Sequence, residues 1–422
     1  MADGCPGIDR GPATRWATGV AESTHDVVIA GGGPAGVMLG YLLARAGRRI
    51  VVLEKHDDFL RDFRGDTIHP STLTLLGELG LRERFLELPV ARVDTMDAVI
   101  GGRRLSLVDF RFLGPPDDFL VFAPQWEFLN FLAEEGRTLA GFDLRMNAEA
   151  QRVVEENGRI VGVAVREGGT ESVLRAPLLV AADGRDSRIR ASAGLVPQRA
   201  GVPIDVLWFR LPKPPDPPPT TLGYADRGGL VLTIDRGDHY QGGCVIAKDG
   251  FARIRDGGLE TFRAHLARIA PPLTPVVARL ESWDQVKVLS VQINALPTWH
   301  RPGLVCIGDA AHAMSPVFGV GVNYALQDAV ALANLLQTGS GSIDDLTARL
   351  QRRRLPPTRR MQRVQRIAHR GIGALAAGKA VPRIVPGVAA ALSPVMRRVL
   401  ARLVGRGFRP EHVAAAIRGR GG

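Results

Sequence analysis

The chain contains 422 residues, 45% of them hydrophobic, and carries a formal net charge of +11. This composition excludes a mostly disordered chain, and the length allows one large domain or about two to three ordinary ones. No uninterrupted apolar stretch approaches the roughly 18 residues of a membrane-spanning helix.

The amino-terminal residues 1–25 lack the apolar core of a signal peptide, so we expect a disordered extension of a cytoplasmic protein. The three cysteines, Cys5, Cys244 and Cys306, are odd in number and far apart in the sequence. This spacing argues against a disulfide framework or a thiolate metal site, and we expect no bound metal.

The first predicted unit is a strand, a glycine-rich turn, a helix and a second strand between Asp26 and Lys55. Gly31, Gly33 and Gly36 have the spacing G-x-G-x-x-G, in which the glycines allow a tight turn, close approach to a pyrophosphate and close helix packing. The free amides and the dipole of the helix N-terminus favour phosphate. The residues of this unit expected to bind a dinucleotide are Gly31, Gly33, Pro34, Ala35, Gly36, Glu54 and Lys55.

The acid at the end of the second strand selects the nucleotide. Glu54 follows the glycines by about 20 residues, where a carboxylate accepts a hydrogen bond from an adenosine ribose. Its charge repels a 2′-phosphate, so this site is predicted to hold FAD or NAD rather than NADP.

Two predicted loops follow. Arg64 precedes a helix that begins at Pro70, and it could pair with FAD phosphates, pair with an incoming nicotinamide cofactor, or be an ordinary surface arginine. Gln125 lies in the first turn of a later helix and contacts a cofactor only if that loop faces a flavin. Between them, residues 94–122 alternate as in an antiparallel sheet.

The middle of the chain is predicted to be mostly β. A three-stranded meander spans residues 151–175, and an apolar strand then ends at Asp183 and Gly184, a pair that is usually a simple turn. From Val202 to Ile293, polar and apolar residues alternate as in a sheet with one covered face, which suits closure over a ligand.

A third motif begins where an apolar strand ends at Gly308 and Asp309. A carboxylate at the end of a strand suits a sugar-like hydroxyl, and the amides of the following helix would stabilise negative charge on an electron-rich ring. A glycine-rich loop, which follows Pro316 and contains Gly319, Gly321 and Val322, leads into this helix at Asn323.

The carboxyl-terminal part is predicted to be helical and basic. Arginines crowd between Arg349 and Arg370, with a helix break expected at Pro356 and Pro357. Nucleic acid, anionic lipid or an acidic substrate could bind such a run, but a solvated helix face is favoured because no aromatic residues interleave. We therefore expect no nucleic-acid partner, and membrane contact is disfavoured.

Together the three motifs resemble those of single-component FAD-dependent aromatic hydroxylases with the para-hydroxybenzoate hydroxylase fold, over roughly residues 26–340. The resemblance implies an α/β fold with a Rossmann-like FAD-binding domain, an inserted, mostly antiparallel β-sheet substrate domain and a helical carboxyl-terminal region. The implied segments are 26–93, 119–192 and 299–345 for FAD, 94–118 and 193–298 for substrate, and 346–422 for the helical region.

The resemblance also implies roles. Gly31, Gly33, Gly36, Glu54, Arg64 and Gln125 would bind FAD, Asp183 would serve FAD and nicotinamide, Asp309 would hold the ribityl chain, and Pro316, Gly319, Gly321 and Asn323 would line the isoalloxazine. NAD(P)H would reduce the flavin, O2 would form a C4a-hydroperoxide, and one oxygen atom would hydroxylate an aromatic or polyketide-like small molecule. Because the chain has one dinucleotide fingerprint, the nicotinamide is expected to bind transiently.

Several points stay open at this stage. For a proton relay the predicted sheet offers Arg210, Tyr224, His239 and Tyr240, and no spacing favours one of them. The fold also serves halogenases, disfavoured here because no W-x-W-x-I-P motif occurs, and reductases of isoprenoid double bonds. A binding protein of the GDP-dissociation-inhibitor type is a further alternative, and the protein could be a monomer or a homodimer.

Overall fold

The computed structural model describes residues 25–60, 67–217, 222–226, 229–376 and 384–419. Residues 1–24 of the predicted extension lie outside these residues, and so does Arg64. The strands, in chain order, are β1 (Val27–Ala30), β2 (Ile50–Leu53), β3 (Thr67–Ile68), β4 (Ala91–Val93), β5 (Thr95–Ile100), β6 (Arg103–Asp109), β7 (Leu120–Phe122), β8 (Phe142–Arg145), β9 (Ala148–Glu156), β10 (Arg159–Glu167), β11 (Thr170–Arg175), β12 (Leu178–Ala181), β13 (Gln198–Ala200), β14 (Ile204–Pro212), β15 (Leu222–Asp226), β16 (Gly229–Asp235), β17 (His239–Ala247), β18 (Lys287–Leu289), β19 (Ile293–Ala295), β20 (His300–Arg301) and β21 (Leu304–Cys306).

The helices connect and cover these strands. They are α1 (Pro34–Arg45), α2 (Pro70–Glu78), α3 (Arg82–Leu86), α4 (Gln125–Arg137), α5 (Arg188–Ser192), α6 (Phe251–Asp256), α7 (Leu259–Ile269), α8 (Gly321–Thr338), α9 (Ile343–Ala376), α10 (Ile384–Gly405) and α11 (Ala415–Arg418). Among the described residues, no helix is both long enough and apolar enough to cross a membrane.

A six-stranded sheet forms the centre of the α/β part, in the order β20-β21-β12-β1-β2-β8. All neighbours are parallel except the edge pair β20 and β21. Strands β1, β2, β12 and β21 are short apolar runs buried on both faces, as expected where helices and a second sheet cover a parallel sheet. Helices α1, α4 and α8 cover one face, and the antiparallel meander β9-β10-β11 and α5 cover the other.

The register of this sheet aligns the carboxyl ends of four strands. Ala30 of β1 is opposite Leu53 of β2 and Ala181 of β12, and Ala181 is opposite Cys306 of β21. The chain segments that follow these residues therefore leave the same edge of the sheet, where ligands bind in open α/β folds. Those segments contain all three motifs.

A seven-stranded sheet, in the order β18-β14-β17-β16-β15-β5-β6, forms a second layer and is antiparallel except between β15 and β5. One face carries Phe209, Tyr224 and Tyr240 and is covered by α7. The opposite face carries Val206 and Trp208 and packs against the end of α9. The sheet therefore has an outer face under α7 and an inner face towards α9.

The expected helix break at Pro356 and Pro357 is wrong, because α9 continues through both prolines from Ile343 to Ala376. Each proline removes one backbone donor from the helix, a local cost that packing along the whole helix can offset. The helix packs against α8 in its first half and against β14, β16 and β17 in its second half. Tertiary contacts on both sides of the prolines therefore keep the helix continuous.

Candidate functional site

The first glycine turn is closed by backbone contacts. Gly31 has a φ of +108°, and a Cβ built on it would overlap the carbonyl group of Ala182. A Cβ built on Gly36 would overlap the carbonyl oxygen of Gly31. Side chains are therefore excluded at both positions because β1, α1 and the end of β12 approach one another closely.

Gly33 differs from its neighbours because it faces open space. A Cβ built on Gly33 meets no other atom within 4 Å, and no side chain caps the N-terminus of α1. Free helical amides beside a residue without a side chain form a site that fits a phosphate.

Glu54 lies against this turn. Its Oε2 accepts a hydrogen bond from the amide of Gly32 at 3.0 Å, and its Oε1 accepts one from the amide of His56 at 3.1 Å. The carboxylate is thereby fixed beside the glycines, and its further lone pairs suit a ribose hydroxyl. The next residue, Lys55, is exposed.

Asp183 lies next to the first glycine turn, and its carboxylate is hydrogen-bonded to residues that follow it closely in the chain. Its carboxylate accepts hydrogen bonds from the hydroxyl of Ser187 and, at 3.1 Å, from the amide of Ile189. Burial raises the pKa of Asp183, and the bond from Ser187 opposes this shift. Together with the Ser187 cap of α5, these bonds hold the turn that follows β12.

The Gly308–Asp309 turn lies between two helix starts. A Cβ built on Gly308 would be 3.3 Å from the Cβ of Ala35 in α1 and 3.2 Å from that of Ala325 in α8. The carboxylate of Asp309 is half-buried, with an oxygen 3.5 Å from an Nη of Arg185. The structure thus brings Asp309 beside the first glycine turn, and it adds Arg185, which our sequence analysis did not identify.

The loop before α8 is the second place with open helical amides. No side chain caps α8, and a Cβ built on Gly321 meets no atom within 4 Å. Gly319 has a φ of +64°, and its carbonyl accepts a hydrogen bond from Thr67 at 3.0 Å. In this loop Pro316 is exposed, and Val322 is half-buried in the first turn of α8.

Asn323 connects the loop to the β3–α2 segment. Its Oδ1 accepts hydrogen bonds from the amide of His69 at 3.0 Å and the hydroxyl of Thr72 at 2.6 Å, and its Nδ2 donates to the carbonyl of Thr67 at 3.3 Å. The side chain is buried. Because all these bonds run to the β3–α2 segment, the side chain positions that segment.

A buried ionic cluster lies behind the Gly308–Asp309 turn. Asp328 of α8 accepts hydrogen bonds from the amide of Gly308 at 3.1 Å and from Arg354 at 2.9 Å, and its Oδ2 is 2.6 Å from His312. Arg354 is 1% exposed and also approaches Glu411. No motif spacing in the sequence indicates this cluster, because its side chains, His312, Asp328, Arg354 and Glu411, are 16 to 99 positions apart along the chain.

Two glutamines of α9 form hydrogen bonds with the loop before α8. Gln365 donates to the carbonyls of Ser315 at 3.0 Å and Val317 at 2.9 Å, and Gln362 donates to the carbonyl of Ala313 at 3.2 Å. Both side chains are buried. Residues 313–317 are thereby held by side-chain hydrogen bonds to α9.

The remaining sequence candidates are spread out. Gln125 is the first residue of α4 and is half-buried. Tyr224 and Tyr240 lie on the outer face of the seven-stranded sheet, under α7. Arg210 and His239 both contact Asp238 in the β16–β17 hairpin, at 2.9 and 2.6 Å. Tyr224 and Tyr240 therefore lie on the sheet face opposite Val206 and Trp208, whereas Arg210 and His239 are paired with Asp238.

Comparisons with known proteins identify the family of this chain. The family described as "FAD binding domain" matches residues 24–361. The chain belongs to this family. It is also similar to 6-methylpretetramide 4-monooxygenase from Streptomyces rimosus, with 32% identity over an alignment of 393 residues that covers 91% of this chain and 93% of that protein. The protein is an FAD-dependent monooxygenase that uses NAD(P)H, as the sequence resemblance predicted.

Two solved structures show how widely the fold is used. Anhydrotetracycline hydroxylase from Streptomyces rimosus has a TM-score of 0.71 and 22% identity, covering 93% of this chain and 77% of its own. A myxobacterial chondrochloren halogenase has a TM-score of 0.73 and 20% identity, covering 94% and 96%. At these identities the likeness shows the fold alone, and the predicted fold class is confirmed.

Proposed function

We propose that this monooxygenase hydroxylates a polycyclic, polyketide-like aromatic molecule, with FAD extended across the aligned strand ends. The observation that carries the proposal is the register that aligns Ala30, Leu53, Ala181 and Cys306, because it brings three distant motifs to one edge. The activity printed for the relative that is 32% identical supports the substrate class.

Within this proposal each motif holds one part of FAD. Gly33 and the start of α1 bind the pyrophosphate, Glu54 the adenosine ribose and Asp309 the ribityl chain. Gly321 and the first amides of α8 face the flavin ring. FAD supplies the redox chemistry, by accepting electrons from NAD(P)H and activating O2, while the chain positions the ring and excludes water.

The substrate is proposed to bind between the loop before α8 and the inner face of the seven-stranded sheet. Phe318 of the loop packs against the same apolar cluster as Met96 and Ile234 of that sheet. On the neighbouring strands, a Cβ built on Gly243 would be 2.8 Å from the ring of Trp208, so this ring covers β17 closely. A flat aromatic molecule fits an apolar, aromatic-rich space of this kind.

The proposal is tested by product labelling. Holoenzyme is incubated with NADH or NADPH, ¹⁸O2 and hydroxyanthraquinones or related polycyclic phenols, and products are analysed by mass spectrometry. We expect one ¹⁸O atom per product molecule and NAD(P)H consumption that depends on the aromatic compound. A halogenated product in the presence of chloride or bromide, or saturation of a double bond without ¹⁸O, would contradict the proposal.

A matched pair of variants connects the activity to the site. Asp309→Asn is expected to lower the FAD content and turnover, because it removes the charge at the end of β21. Asp256→Asn is the control, since Asp256 is an exposed residue at the end of α6. Equal activity of both variants would remove Asp309 from the proposed site.

We further propose that the enzyme acts in the cytoplasm. Cys244 and Cys306 are both unpaired and buried. Free thiols are typical of proteins from reducing compartments.

A further inference from the structure

His369 is a buried titratable residue beside the loop before α8. It lies on the same face of α9 as Gln362 and Gln365, at helical spacing, and is 2% exposed. Its Nε2 is 2.6 Å from the hydroxyl oxygen of Ser315, the residue before Pro316. His369 therefore continues the row of α9 side chains that hold this loop.

The contact with Ser315 favours one tautomer of the imidazole. The hydroxyl oxygen of Ser315 already accepts a hydrogen bond from the amide of Val317 at 3.1 Å. The single hydroxyl proton then has Nε2 of His369 as its acceptor among the described residues. We assign Nε2 as the acceptor in this contact, which gives the hydroxyl proton of Ser315 a partner and puts the proton of the neutral ring on Nδ1.

This Nδ1–H group has no hydrogen-bond partner among the described residues, although it is buried. A buried donor without an acceptor is costly and rare in folded proteins, so such a group beside a proposed site indicates a missing partner. Burial lowers the pKa of His369, which favours the neutral ring, and no charged group contributes to this shift.

The position of His369 indicates what that partner is. One turn further along α9, Ile372 packs into the cluster that contains Val206 and Trp208 of the inner sheet face. His369 thus lies between the loop before α8 and the sheet face, which border the proposed substrate space.

We propose that the Nδ1–H group of His369 donates a hydrogen bond to an acceptor oxygen of the substrate, a ring carbonyl or an ionised phenol. This inference rests on the proposed function and adds the acceptor chemistry of the substrate. His369 orients the aromatic ring against the loop, and Ser315 keeps the imidazole in the donating tautomer.

Two substitutions of His369 test the roles of the two ring nitrogens independently. The amide of His369→Gln occupies the position of Nε2 and retains a contact to Ser315, whereas the amide of His369→Asn occupies the position of Nδ1. Binding of alizarin, a hydroxyanthraquinone, and of anthracene, which has no oxygen, is measured from changes in flavin absorbance of the holoenzyme. His265→Asn, on α7 at the outer sheet face, is the control.

We expect His369→Gln to weaken alizarin binding about tenfold, as for loss of one hydrogen bond, and His369→Asn to weaken it less. Anthracene binding should be the same in all variants. Equal effects of the two substitutions, no effect, or no binding of alizarin to the wild-type holoenzyme would overturn the inference. The labelling experiment with other aromatic compounds would still report on the proposed function separately.

A second measurement does not depend on substitution. ¹⁵N NMR of histidine-labelled holoenzyme is expected to show His369 protonated on Nδ1, with a shift of this nitrogen when alizarin is added. A proton on Nε2, or an Nδ1 chemical shift that does not change when alizarin binds, would overturn the inference.

Discussion

Gly33 and Gly36 belong to one motif, but we expect a side chain to be unfavourable at these two positions for different reasons. At Gly36 the backbone of Gly31 fills the place of a side chain, whereas Gly33 faces open space. We expect Gly36→Ala to destabilise the apoprotein by about 1–3 kcal/mol through overpacking. Gly33→Ala should leave apoprotein stability unchanged and weaken FAD binding about tenfold, because its methyl group enters the phosphate site.

Thermal unfolding of the two apoproteins and FAD titration of each check this pair. Gly36→Ala is the internal control for a purely structural glycine. If Gly33→Ala lost apoprotein stability but kept its FAD affinity, the pyrophosphate would not bind at this turn.

His69 should make stability depend on pH. It is fully buried, and burial lowers the pKa of His69 from 6.5 to about 4, against hydrogen bonds with Val404 and Gly319 that raise it. Because the folded pKa is lower, the unfolded chain binds more protons between these values. The free energy of unfolding should therefore fall by about 3 kcal/mol from pH 6.5 to pH 4 through this group.

The dependence of the unfolding free energy on pH is measured by urea unfolding at a series of pH values from 6.5 to 4. His69→Gln should reduce the slope, whereas His56→Asn, an exposed control, should retain it. An unchanged slope in His69→Gln would show that other groups cause the acid sensitivity.

The sequence predicted the glycines and the strand-end acids because motif spacing and strand ends are local properties. It did not predict that the side chain of Asn323 bonds to residues more than 250 positions away, or that Tyr224 and Tyr240 lie under α7. The hydrogen bonds of Asn323 depend on tertiary contacts. The position of the two tyrosines depends on which face of the sheet packs against α7, and the alternation of polar and apolar residues does not specify that face.

At the scale of elements, α8 and α9 are joined by the buried pair of Asp328 and Arg354. Burial raises the pKa of Asp328, but the charges of His312 and Arg354 outweigh it, so the net shift is downwards. Asp328→Asn would leave Arg354 without its charge partner on α8. We expect a loss of about 3–5 kcal/mol in unfolding free energy, the usual cost of removing one partner of a buried pair.

Urea unfolding at neutral pH measures this loss. Glu171→Gln is the matched control, since it removes one partner of an exposed pair with Arg152 and should cost under about 1 kcal/mol. Asp328 is expected to stabilise the fold at all pH values above its ordinary carboxyl pKa and to lose this effect only in stronger acid. Equal losses in the two variants would contradict a buried cluster.

Element prediction succeeded where periodicity was strong and failed where packing opposes local preference. The helix that begins at Pro70 and the three-stranded meander predicted over residues 151–175 follow the predicted patterns. The continuous α9 does not, because two consecutive prolines normally end a helix. Its continuity depends on contacts with α8 and the inner sheet face, which no local pattern contains.

At the scale of the whole molecule, α9 connects the two layers. Leu346 and Leu350 belong to the core of the α/β part, and Ile372 packs against the seven-stranded sheet. We expect one cooperative urea transition, with far-ultraviolet circular dichroism and tryptophan fluorescence changing together, because neither layer buries α9 alone. Two separate transitions would contradict this and would indicate independently stable domains.

The most direct test of the whole account is titration of the apoprotein with FAD, followed by the change in flavin fluorescence. The account predicts saturation at one FAD per chain, with affinity reduced by substitution of either Gly33 or Asp309, which lie in separate motifs aligned by the sheet register. Saturable binding that neither substitution weakens, or no saturable binding at all, would contradict it.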